Sequence, residues 1–238
     1  MLSAVTFDFW GTLYQNAFAK EERLLMLQEA LAQHHQPRSL EDLTTAYEHT
    51  SSVWSQVWQE EHRPLPITHW LGEILMFLEA SLPTSVMTDL GQDVEQVFLQ
   101  GDTPHPVPGV AEVLPRLSRR YRLGLISDTG LTPGRVLRRI LQRDGLLRCF
   151  DALTFSDETG ATKPFPEQFL RTLEGLGVDP AEAAHVGDLP ETDVIGAQQA
   201  GMKSVLFLGV SDRQDGIPLA DAAFETYDEL ETLLERLS

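Results

Sequence analysis

Asp8, Ser127, Lys163, Asp188 and Asp193 are the residues in this chain best suited to chemistry. Three of them close short apolar runs: Val5-Thr6-Phe7 leads into Asp8, Leu125-Ile126 into Ser127, and His185-Val186-Gly187 into Asp188. Asp193 stands five residues after Asp188, and Lys163 follows the run that ends near Phe155-Ser156-Asp157. Carboxylates bind a hard cation through oxygen, while a hydroxyl, an ammonium and backbone N–H groups cradle an oxyanion. The set therefore describes a site for phosphate and magnesium. Each member alone has a plainer reading. Asp or Ser after a strand is often a turn former or helix cap, Asp193 suits the first turn of a helix, and a single lysine is usually solvated. Order and spacing favour the joint reading. Trp10 occupies the position, two residues after Asp8, where a second carboxylate would complete an acid–base pair.

A parallel sheet would gather these residues on one edge. Strand-like runs fall near residues 4–8, 122–127, 150–155, 183–187, 203–208 and 220–224, and helical patterns near 110–119, 132–143, 165–176, 191–200 and 227–237. This alternation predicts an α/β fold, a Rossmann-like doubly wound parallel sheet with helices on both faces. Ligands bind such sheets beyond the carboxyl ends of the strands. Residues 17–103 differ in texture. Apolar residues recur there at helical spacing, as at Leu24, Leu27 and Leu31, and breakers fall at Pro37, Pro64, Pro66 and Pro83. About four helices are expected, inserted as an all-helical cap (17–103) into an α/β core made of 1–16 and 104–238. The proline-rich stretch Thr103–Gly109 predicts a stiff hinge between them.

Composition narrows the function classes. The net charge of −18 argues against binding nucleic acid or anionic membranes. The arginines between Arg116 and Arg139 read as solvated helix faces. One cysteine, Cys149, excludes an intrachain disulfide and reads as a buried thiol, which fits a cytoplasmic location. No signal peptide and no apolar run near the length of a membrane span is visible.

The stretches Phe7-Asp8-Phe9-Trp10-Gly11-Thr12-Leu13, Leu125-Ile126-Ser127-Asp128, Gly160-Ala161-Thr162-Lys163-Pro164 and His185-Val186-Gly187-Asp188-Leu189-Pro190-Glu191-Thr192-Asp193 resemble the motifs of the haloacid dehalogenase superfamily. Gly196-Ala197-Gln198-Gln199-Ala200-Gly201 and Pro108-Gly109-Val110 extend the resemblance over the whole chain. It implies that Asp8 is a nucleophile forming a covalent aspartyl intermediate. It also implies that Thr12, Ser127, Asp128 and Lys163 serve the phosphate, and that Asp8, the Trp10 backbone carbonyl, Asp188 and Asp193 hold Mg2+. The implied partner is a small phosphorylated molecule, and the chain is expected to be a monomer or homodimer.

Trp10 departs from that pattern, because phosphatases of the family carry Asp there as general acid and base. An indole N–H donates a hydrogen bond but does not exchange a proton near neutral pH. A substrate with a good leaving group, or a proton from His62 or His69, would compensate. Two other readings stay open: a metal-free 2-haloacid dehalogenase, and a weak or inactive binding protein. Dehalogenases carry an aromatic residue at the Trp10 position, and halide leaves without protonation. Against them stand Asp188 and Asp193, which without a metal would each cost roughly 4 kcal/mol beside Asp8 at about 4 Å. Dehalogenases also use an arginine near the start of the cap, where this chain has Arg23 within a helix and Arg38 after it. The cap aromatics Phe18, Tyr47, Trp54, Trp58, Trp70 and Phe77 read mainly as packing between cap helices, and Gln15 and Asn16 as residues that could touch substrate.

Overall fold

Alternation along the first strand, β1 (Ala4–Phe7), divides the molecule. Val5 and Phe7 join the larger core, and Ala4 joins a second core on the opposite face. All four residues are fully buried, as befits a central strand of a parallel sheet covered on both sides. The computed structural model describes all residues of the chain except the side chain of Gln59.

Five further strands are β2 (Arg122–Ser127), β3 (Ala152–Phe155), β4 (Ala183–Gly187), β5 (Lys203–Phe207) and β6 (Ala222–Phe224). The sheet runs in the order β3-β2-β1-β4-β5-β6 with every pairing parallel. The chain passes from β1 to β2 on one side and from β3 to β4 on the other. β1 and β4 thus flank the switch point where open α/β sheets bind ligands.

The segment between β1 and β2 begins with four helices: α1 (Lys20–Gln33), α2 (Leu40–Gln56), α3 (Ile67–Phe77) and α4 (Thr84–Glu95). They have a core of their own, in which Leu24, Leu27 and Leu31 meet Leu43, Trp70, Ile74 and Val94. α2 starts at a capping box, with Ser39 Oγ accepting from Asp42 N and the Asp42 carboxylate accepting from Ser39 N. α2 continues through a π turn, Val57–Glu61. The prolines expected as breakers lie between these helices.

α5 (Val110–Leu117), α6 (Gly134–Arg143) and α10 (Tyr227–Leu237) cover one face of the sheet through Val113, Leu137, Ile140, Leu230 and Leu234. On the other face Phe169 and Leu173 of α8 (Pro166–Leu176) pack with Ala197 of α9 (Ile195–Gln199). A short α7 (Ser156–Thr159) follows β3 directly.

Three expectations change in detail. β3 starts at Ala152 rather than residue 150, because Leu147–Cys149 form a 3-10 turn. The helix expected over 191–200 is a π turn, Pro190–Val194, followed by α9; the Asp193 carboxylate folds back to accept Leu189 N at 3.0 Å. The proline-rich stretch is tied to the segment after β1, with Gln15 N donating to His105 O at 3.1 Å and Val107 N to Leu13 O at 2.9 Å.

The arginine-rich helix faces are neutralised locally, since Arg116, Arg120, Arg135 and Arg138 each pair with a glutamate. Cys149 is a buried free thiol. Among the described residues no helix is long and apolar enough to cross a membrane.

Gly109 opens α5 with φ +89°, and a Cβ there would lie 2.8 Å from Tyr227 Cβ. Gly109→Ala therefore meets both strain and a clash, and should lower the unfolding free energy by about 1 kcal/mol or more. Urea denaturation measures it, and an unchanged midpoint would refute the argument.

Candidate active site

Asp8 extends β1 by one residue and donates its N–H to Val186 O of β4 at 2.9 Å. The chain then turns sharply, with Leu13 N and Tyr14 N both returning to Phe9 O. Gly11 makes this turn possible. Its φ is +71°, and a Cβ would stand 2.3 Å from Asp188 Oδ2.

Lys163 reaches the same point from the loop after α7. Its buried ammonium donates to Asp8 Oδ1 and to Asp193 Oδ1, each at 2.6 Å. Asp193 Oδ1 also faces His185 Nε2 at 3.1 Å, and His185 Nδ1 lies 2.8 Å from Thr6 Oγ1. Burial lowers the His185 pKa, so the ring is neutral. Nε2 then donates to the carboxylate and Nδ1 accepts from the threonine. Asp188 accepts from Ser211 Oγ at 2.6 Å through Oδ2, while its buried Oδ1 has no partner.

One ammonium thus sits among three buried carboxylates and bonds two of them, Asp8 and Asp193. Burial pushes Asp8 well above the usual carboxylate range despite Lys163. Burial also pushes Asp188 up to about 6, helped by Asp193. For Asp193 the burial effect is outweighed by Lys163 and His185, which hold it below that range. Burial likewise opposes the charge on Lys163, but Asp193 and Asp8 hold it firmly protonated. Oxygens of Asp8, Asp188 and Asp193 lie within 4.8 Å of one another. With only hard oxygen donors and one orphaned carboxylate oxygen, these residues fit a small divalent cation such as Mg2+.

A cavity of about 310 Å3 opens above them, lined by Asp8, Trp10, Trp58, Asp128, Lys163 and Asp188 among others. Asp128 Oδ1 accepts Lys163 N at 3.1 Å, and Oδ2 accepts Trp58 Nε1 at 3.1 Å. Burial lifts its pKa to about 6. When ionised, a carboxylate so placed only accepts hydrogen bonds and does not cradle a phosphate. Ser127 and Thr12 are buried but are not among the residues lining the cavity. Ser127 Oγ lies 3.4 Å from Asp128 O, and Thr12 Oγ1 has no partner.

The histidines considered as proton donors lie elsewhere. His62 packs its ring edgewise on Phe165, and His69 pairs with Glu73 on the surface. Asn16 lines the cavity and Gln15 does not. Trp54 and Trp58 line this cavity; Trp70 and Tyr47, which do not, pack in the helical core, and Phe18 and Phe77 are exposed. Arg38 donates to backbone carbonyls of Gln36, Pro37 and Leu78.

The residues missed in the sequence are His185, Ser211 and the Trp58–Asp128 pair. Ser211 follows β5, so reading one more strand end would have found it. A histidine inside an apolar strand was also a signal.

A profile of haloacid dehalogenase-like hydrolases matches residues 2–201. The chain belongs to this hydrolase family. Over 102 residues it is 39% identical to glyceraldehyde 3-phosphate phosphatase of Pyrococcus abyssi, a match covering 42% of each chain. The matched part spans about half the length of the curated relatives. Among solved structures, a 2-haloacid dehalogenase from Pseudomonas syringae pv. Tomato DC3000 superposes over 100% of both chains with TM-score 0.74 and 30% identity. A HAD phosphatase from Thermococcus onnurineus covers 98% of both chains with TM-score 0.63 and 27% identity. The family thus includes both chemistries among this hydrolase's relatives.

Lys163→Met would strand Asp8 and Asp193 without their cation. In metal-free buffer the variant should lose about 3 kcal/mol or more near pH 7.5. The deficit should narrow toward about pH 5.5, because unpaired buried carboxyls titrate higher in the folded chain and folding gains as they protonate. Denaturation at both pH values checks this, and a deficit that does not change with pH would contradict it.

Proposed function

We propose that this hydrolase is a magnesium-dependent phosphatase acting on a small phosphorylated metabolite. The observation that carries the reading is the cluster of Asp8, Asp188 and Asp193 around the single Lys163 ammonium. Without a second cation, an anionic substrate would enter a site with surplus negative charge, and a haloacid would be repelled by Asp188 and Asp193. Mg2+ held by Asp8, Asp188, Asp193 and the Trp10 carbonyl would offset that charge and stabilise charge developing on the phosphoryl oxygens. On this reading the helices of residues 17–103 act as a cap over the site.

Asp8 Oδ1 is engaged by Lys163, which leaves Oδ2 to attack phosphorus. The P–O bond to the leaving group breaks as the new P–O bond to Asp8 forms, and Lys163 balances charge on both. Asp128 takes the acid–base role that Trp10 cannot fill. It lines the cavity with Asp8, and its pKa of about 6 suits proton exchange near neutrality. It gives its proton to the departing oxygen. Water then attacks phosphorus and yields its proton to Asp128, the Asp8–phosphoryl bond breaks, and phosphate leaves. Burial raises the Asp128 pKa, Lys163 and the Trp58 hydrogen bond hold the rise down, and Asp193 adds to it.

The dehalogenase reading keeps one specific support, the full-length similarity to a 2-haloacid dehalogenase. Assays with p-nitrophenyl phosphate and acetyl phosphate, with and without magnesium, separate the two. Magnesium-dependent phosphate release, abolished in Asp8→Asn, is expected. Chloride release from 2-chloropropionate in EDTA would replace the phosphatase with a dehalogenase, and silence in both would leave a binding protein.

The role of Asp128 has its own test. With an alkyl phosphate, kcat/KM should fall as pH rises through about 6, since the general acid is then deprotonated. Asp128→Asn should remove that limb and lower the rate by roughly a hundredfold, while p-nitrophenyl phosphate is much less affected. Equal losses on both substrates would remove Asp128 from proton transfer.

A further inference from the structure

Arg23 is a buried cation with no carboxylate against it among the described residues. Its side chain, 3% exposed, donates to Phe18 O at 2.7 Å, Thr132 Oγ1 at 2.9 Å and Val94 O at 3.2 Å. The guanidinium also lies 5.3 Å from the centre of the Phe98 ring. Those bonds use three of five N–H groups and supply only partial charges. Burial lowers its pKa to about 10, with Tyr47 and Glu22 opposing the shift only in part. An isolated buried charge is expensive, so a fold that keeps one beside an open space has a reason to do so.

That space is a second cavity of about 310 Å3. Arg23 lines it together with Trp10, Phe18, Tyr47, Trp54 and Trp70. It adjoins the cavity over Asp8, and Trp10, Asn16, Trp54 and Asp128 belong to both. Phe18 is 68% exposed, an apolar surface that a ligand would cover. Aromatic walls favour a flat apolar group, and a guanidinium fork favours a planar oxyanion.

We propose that this cavity is a carboxylate subsite, binding a planar apolar group whose carboxylate is met by Arg23. A monoanion matches the single charge of Arg23. A dianion would leave surplus negative charge on a wall that already includes Asp128. The subsite rests on the phosphatase reading in one respect only: its occupant is the part of the substrate that leaves phosphorus. A site built to pair a buried cation discriminates sharply against a neutral analogue, which leaves that cation unpaired.

Calorimetric titration of the full chain with benzoate and with the neutral isostere benzamide tests the subsite. Benzoate should bind at least about tenfold more tightly than benzamide. Arg23→Gln should erase the difference, and Arg23→Lys should retain part of it. Equal binding of the two ligands, or no binding of benzoate, overturns the proposal. Arg23 also ties α1 to the loop after β2, so thermal melts accompany the variants, and the wild-type comparison stands without them. Turnover of 4-carboxyphenyl phosphate against phenyl phosphate, at an expected kcat/KM ratio of about tenfold or more, links the subsite to catalysis. Discrimination of benzoate without hydrolysis of either ester sinks the phosphatase and keeps the subsite. Hydrolysis of both esters without preference does the reverse.

Discussion

The Lys163 ammonium, buried between Asp8 and Asp193, is the interaction on which the site depends. It joins the loop after α7 to the ends of β1 and β4, which no local sequence preference would bring together. The parallel order with β1 beside both β2 and β4 supplies the meeting point. Close approach then demands small residues. Gly11 lets the β1 loop touch Asp188, and at Gly187 a Cβ would fall 2.2 Å from Asp193 Cγ. Charge balance and backbone geometry are therefore one constraint: the carboxylates crowd because the glycines allow it, and they tolerate crowding because Lys163 is held among them. His185 and Thr6 extend that support behind Asp193, fixing one oxygen of the carboxylate while Leu189 N fixes the other.

The helical segment meets this arrangement through few polar contacts. Trp58 donates to Asp128, Thr162 N donates to His62 O, and Arg23 reaches Thr132 beyond β2. All three attach to loops at the carboxyl ends of strands, and a further pair, Glu95 with Arg135, joins α4 to α6. A separate core holds the helices together, independent of the two cores flanking the sheet. Under the proposed reading, water exclusion and substrate choice fall to residues such as Trp54 and Trp58, while the reacting groups come from the sheet edge.

The strand ends were readable because a carboxylate after an apolar run is conspicuous, and the parallel order follows from alternating strands and helices. Asp8, Asp188 and Asp193 could be named together for that reason. What escaped depends on contacts between distant segments. The pairing of Trp58 with Asp128 spans 70 residues, and that of Ser211 with Asp188 joins two loops that only the order β4-β5 makes neighbours. Trp54 and Trp58 have the spacing of a packed helix face, and periodicity does not distinguish a face against protein from one against a cavity. Arg23 was readable only as an arginine within a helix, because its burial comes from α4 and the loop after β2, not from its own helix.

Trp10 ties these threads. Its indole packs edgewise on Phe9 and lies 5.8 Å from Phe98, whose ring also faces Arg23. The residue that displaces the family's usual acid is thereby part of the wall shared by both cavities. Under the proposed reading the exchange is coherent. A carboxyl at position 10 would add a further acid to a site with one ammonium, whereas Asp128 is buried and held by Trp58 and the Lys163 N–H. Moving the proton carrier from the β1 loop to the β2 loop frees position 10 to form apolar wall, and that wall runs toward Arg23, a buried cation with no salt-bridge partner among the described residues.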